Sequence, residues 1–152
     1  MEILTVVSSV LAAIVTTYLT VRKIVGGMTS GLVQQYLKEH SLCRHSVAIV
    51  ADTAHLGLAG ELRAMLVRRG YRNVYVRDVE KFEKSGDQAV IVIQDGIDLP
   101  RFAMNTGLAE GLIFTSGRAN APAGDWTFAN SGISLYARLR ELIEWIRGAE
   151  KD

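Results

Sequence analysis

The chain has 152 residues, 17 basic and 16 acidic side chains, 49% hydrophobic residues, two prolines and a single cysteine. Near-zero net charge leaves no basic footprint for DNA or RNA, one cysteine cannot form an intrachain disulfide, and abundant aliphatics exclude a largely disordered chain. The length allows one compact domain and an accessory segment, not two full domains.

The polarity is unevenly placed. Residues 3–21 (ILTVVSSVLAAIVTTYLTV) form a run of 19 residues with no charge, proline or glycine, and only Glu2 precedes it as a charge. As a helix this run is about 28 Å long, close to the hydrocarbon thickness of a bilayer. A signal peptide would want a basic start and a small-residue cleavage site, whereas this run starts Met-Glu and ends in Arg22-Lys23. A core helix of a soluble domain is a second alternative. A membrane span accounts for the length, the lack of charge and the basic stop together. The positive-inside rule then puts the N-terminus outside and the rest of the chain in the cytoplasm, at the inner membrane.

The run has two unlike faces at 100° per residue. Thr5, Ser8, Ser9, Ala12, Ala13, Thr16, Thr17 and Thr20 share one half, with larger residues opposite. Small-xxx-small rows let helices approach closely in lipid, so Ser8, Ser9, Ala12, Ala13, Thr16 and Thr17 are candidates for a homo-oligomeric contact, in a dimer or tetramer. The alternative is a lone anchor whose hydroxyls bond their own helix. Residues 1–23 are thus the expected transmembrane segment, and residues 24–44 a linker and neck helix. Gly26, Gly27 and Gly31 predict a break between the two. His40, Cys43 and His45 have a spacing suggestive of zinc, but a structural site needs four ligands with a second pair, so no metal or cofactor is implied.

From residue 45 to 152, strand and helix patterns alternate. Strands are expected at 47–50, 73–77, 89–93, 111–115 and 126–129, and helices at 58–69, 99–109 and 134–147, with at most a helical turn or two at 79–84. The run AVIVI at 89–93 is the best candidate for a central strand buried on both faces. The expected fold is α/β: a small five-stranded parallel flavodoxin-like or Rossmann-like sandwich behind a transmembrane helix.

Open α/β sheets bind ligands outside the carboxyl ends of their strands. The candidate ligand shell is therefore Asp52, Thr53 and His55 after the first strand, with Thr115, Ser116, Arg118 and Asn120 after the fourth. Hydroxyls, backbone N–H groups and the Arg118 guanidinium suit an anionic ligand such as a phosphate group. No G-x-G-x-x-G, Walker lysine or serine elbow is present, and no nucleophile can be assigned, so the chain is not read as an enzyme.

Two resemblances follow from these residues. The run VAIVAD at 47–52, the helix ending in Arg-Gly-Tyr71, and VIVIQDGIDLP at 90–100 together resemble a response-regulator receiver domain. The resemblance implies phosphorylation-site roles for Asp52 and Asp95, with Thr115 or Ser116 as the fourth-strand hydroxyl. Asn130-Ser131 stands where the family has its lysine, and Asp52 alone replaces an acidic pair. The layout, one N-terminal span before a small Rossmann-like domain, is similar to membrane effectors of bacterial antiviral defence, including those with CARF domains that bind cyclic oligoadenylates. There the loops after the first and fourth strands hold the ring nucleotide across a homodimer. TIR-like domains share the topology, but their glutamate after the third strand has no clear counterpart.

The sequence-based expectation is a membrane-anchored, homo-oligomeric signalling effector. Its cytosolic domain senses a small anionic ligand, a nucleotide second messenger, and alters the oligomeric helix. Its partners are the bilayer, itself and that nucleotide, with no DNA or RNA polymer. The alternative is a non-enzymatic, membrane-anchored, receiver-like module that docks a protein.

Overall fold

The computed structural model describes residues 2–118 and 120–149, with side chains from Ala12 onward. The chain divides into two compact units, Met1–Glu39 and His40–Asp152.

Helix α1 runs from Glu2 to Leu42 without interruption. The break expected at Gly26, Gly27 and Gly31 does not occur. Each glycine costs up to about 1 kcal/mol relative to alanine yet readily adopts helical angles, and elongation of an existing helix is far easier than nucleation. Among the described residues no helix is long and apolar enough to cross a membrane. Residues 3–11, the first part of the expected span, lie outside those with described side chains.

The second unit is a five-stranded, all-parallel sheet in the order β2-β1-β3-β4-β5, a flavodoxin-like topology. Its strands are β1 (Val47–Ala51), β2 (Val74–Asp78), β3 (Ala89–Ile93), β4 (Glu110–Phe114) and β5 (Asp125–Ala129). Helices α2 (Leu56–Arg68), α3 (Leu99–Thr106) and α4 (Gly132–Ala149) complete it, and the β2–β3 crossover is only a 3₁₀ turn at Val79–Lys81. All five expected strands are present, with ends displaced by a residue or less. β1 and β3 are buried along their whole lengths, as central strands of a covered sheet must be.

Side-chain alternation divides the core into two clusters. Val47, Ile49, Ile91 and Ile93 pack with Leu62, Leu66, Leu135, Leu139 and Ile143 from α2 and α4. Ala48, Val50, Val90 and Val92 point the other way, onto Phe82, Leu99 and Phe102. The two faces are unequal: one is covered by two full helices, the other by an eight-residue helix and a turn.

The last residues of α1 belong to this unit. Leu42 lies in the first cluster, and Arg147 Nη1 donates to Ser41 Oγ at 2.6 Å. Backbone Arg72 N–H donates to Cys43 C=O, and Asn73 Nδ2 to Arg44 C=O. His45 is buried and bonds the Asp87 carbonyl through Nε2 at 2.7 Å, while Cys43 packs beside Arg69. No cluster of three or more His, Cys, Asp or Glu side chains suited to a metal occurs among the described residues. Burial pushes the Tyr71 hydroxyl, at the edge of the first cluster, well above the ordinary tyrosine range.

Candidate functional site

In an open parallel sheet the ligand crevice forms where successive connections leave in opposite directions. The order here puts that point between β1 and β3. At the end of β1, Asp52 caps the 3₁₀ turn Thr53–His55: Oδ1 accepts the His55 backbone N–H at 3.0 Å and meets His55 Nδ1 at 2.5 Å. Thr53 Oγ1 donates to Asp78 Oδ2 at the end of β2. The Asp52 carboxylate lies directly over Gly96 in the loop after β3. A Cβ on Gly96, whose φ is +84°, would collide with Asp52 Oδ2. Only glycine fits there on both counts.

The loop after β4 is built differently. Thr115 is buried, its N–H donates to Ala129 C=O, and its Oγ1 accepts the Gly117 N–H at 3.1 Å. That turn exposes Ser116, Gly117, Arg118 and Asn120. Gln94, the residue after β3, donates from Nε2 to the Arg118 carbonyl at 3.4 Å, and its Oε1 is buried with no partner among the described residues.

The seven expected shell residues therefore fall into two groups. Asp52, Thr53 and His55 belong to the β1 end, and Thr115, Ser116, Arg118 and Asn120 to the β4 end, with β3 between them. Two strand spacings, about 9.5 Å, separate β1 from β4, and the Gln94 side chain reaches into the β4 loop from the strand between them.

Thr115 opens toward β5 and α4 instead. With Gly117, Phe128, Asn130, Ser134 and Arg138 it lines an open cleft of about 440 Å³ at the carboxyl ends of β4 and β5. The chain reverses into α4 through a local hydroxyl network. Ser134 N–H donates to Ser131 Oγ, and Ser134 Oγ accepts the N–H groups of Asn130 and Ser131. Arg138 stands one turn below Ser134 on the same helix face and donates to Glu141 Oε2 at 2.8 Å, with both side chains about half exposed. Such an exposed pair contributes little stability and leaves the guanidinium free to exchange partners.

Sequence reasoning placed Thr115 after the fourth strand, in a shell with the loop after the first, and missed Phe128, Ser134 and Arg138. The available signal was the i, i+4 pair Ser134 and Arg138 at the start of a helix that follows the fifth strand end. The described hydroxyls on the small-residue face of α1 are satisfied within the helix: Thr16 bonds Ala12 C=O, Thr17 bonds Ala13 C=O and Thr20 bonds Thr16 C=O, each at 2.8 Å. Ser8 and Ser9 lie outside the residues with described side chains.

No known protein-family model, curated protein or solved structure matches this chain.

Proposed function

We propose that the chain is a non-enzymatic, membrane-anchored sensor of a small anionic ligand, a nucleotide or its phosphate-bearing relative, which assembles with further copies of itself through α1. The cleft at the ends of β4 and β5 carries this reading. It is large enough for a nucleotide fragment, and it combines the Thr115 and Ser134 hydroxyls, Asn130 and the Arg138 guanidinium with the Phe128 ring. Arg118 stands exposed on the adjoining loop. The anchoring part rests on the charge-free stretch at 3–21, the Arg22-Lys23 stop and the exposed apolar surface of α1. Because Ser41 and Leu42 of α1 join the core of the sensing unit, ligand energy has a covalent path to the anchor.

A thermal-shift panel of linear and cyclic nucleotides on the full chain in detergent tests the sensor. At 100 times its dissociation constant, a ligand adds about 2.7 kcal/mol of stability. Arg138→Ala is expected to abolish the shift while leaving the unliganded midpoint within a few degrees. A silent panel with folded protein removes the sensor reading. It would favour the second reading, a receiver-like docking module, whose support is the flavodoxin-like strand order shared with receiver domains.

A further inference from the structure

Apolar residues along α1 recur with alternating spacings of three and four. In heptad notation Leu4, Leu11, Tyr18, Val25 and Leu32 occupy position a. Val7, Ile14, Val21 and Met28 occupy position d. This 3.5-residue period is the signature of a left-handed helical bundle. It passes through Arg22-Lys23 without a slip, so the same seam serves the charge-free stretch and the segment after it. Arg22 falls at e, beside the seam, Lys23 at the outer position f, and Gly26 and Gly27 at b and c.

We infer that this large-residue seam, and not the small-residue face, joins α1 to further copies of this chain in a parallel, in-register bundle of more than two strands. Four observations select that occupant. The described seam residues are all more than half exposed in the single chain, from Val21 and Val25 at 53% to Met28 and Leu32 at 66%. The Thr16, Thr17 and Thr20 hydroxyls outside the seam are already bonded within the helix and need no neighbour. The pairs that meet beside the seam of a parallel bundle, Thr17 with Arg22, Ile24 with Thr29 and Gly31 with Tyr36, carry at most one charge each, so identical chains align without repulsion. Burying roughly 60–120 Å² at each of the six described positions gives roughly 400–700 Å² per chain. With Leu4, Val7 and Leu11 on the same register, the total reaches the ~800 Å² per partner of a stable interface.

The strand number follows from side-chain shape. Leucine predominates at a and β-branched residues at d, a pattern that favours about three or four strands over two. Apolar Val15 at e and Ile24 at g widen the buried stripe beyond a two-stranded seam.

This inference rests on the self-association part of the proposed function and is independent of the ligand. The test is the mass of the full chain in detergent, by native mass spectrometry without nucleotide. The expected mass is that of three or four copies, falling to one for Met28→Asp and for Leu32→Asp. Ser30→Asp, at the outer position f, is expected to leave the assembly intact. A dimeric parent overturns the inferred strand number and leaves the assembly reading standing, whereas a monomeric parent overturns both. An assembly that survives Met28→Asp and Leu32→Asp overturns the seam alone.

Discussion

Helix α1 and the central sheet are built from similar residues, rich in valine, isoleucine, leucine and alanine, yet those side chains meet opposite surroundings. In β1 and β3 none is more than 2% exposed, because α2 and α4 close one face and α3 the other. Along α1 from Ile14 to Leu37, large apolar side chains are 52–68% exposed. Apolar content alone therefore predicts burial only where the same chain supplies a covering layer. The sheet carries its own cover. On the proposed reading, helix α1 takes its cover from lipid, from copies of itself, or from both.

The largest expected effect breaks the comparison at its core. Ile91→Ala should destabilise the unit by about 2–5 kcal/mol, because it opens a cavity in a fully enclosed layer. Ile24→Ala, in the first unit and 57% exposed in the single chain, should leave the unfolding transition of the sheet unit within about 0.5 kcal/mol. Denaturant titration of both variants checks this. At the β1–β3 crevice, Gly96→Ala meets the Asp52 carboxylate and a left-handed backbone together, and a loss of about 1–3 kcal/mol is expected by the same titration.

A smaller effect is expected where α1 enters the second unit. Arg147→Ala removes the bond to Ser41 and should cost about 1 kcal/mol, with faster amide exchange in the last turn of α1. The smallest is a pH effect. The raised Tyr71 hydroxyl stays neutral in the folded state at pH values where the unfolded chain ionises. Its contribution is therefore complete below about pH 10 and is lost as pH rises beyond it. Tyr71→Phe should flatten the alkaline fall in stability, measured by denaturation on either side of that pH.

The sheet was legible because its signals are local and redundant. Runs such as AVIVI at 89–93 combine β-branching with full apolarity, and α2 carries both an apolar face and a closing glycine. Local propensity at Gly26 and Gly27 points to a break, but the cooperativity of a 41-residue helix carries α1 through both. The candidate site was legible only as strand ends. Asp52 reads as a ligand-binding acid in sequence, yet in the fold it caps a turn and holds His55. Arg138 was hidden because its relation to Thr115 depends on how α4 packs against β5, which no local pattern encodes.

The most direct measurement of what covers α1 is thiol labelling of the full chain in vesicles, in a Cys43→Ser background. Thr16→Cys and Ser30→Cys occupy the same outer heptad position, so a bundle of copies leaves both thiols uncovered and only lipid can distinguish them. Thr16→Cys is expected to resist a membrane-impermeant maleimide until detergent is added, while Ser30→Cys reacts at once. Equal and rapid labelling at both positions would contradict a lipid-covered α1.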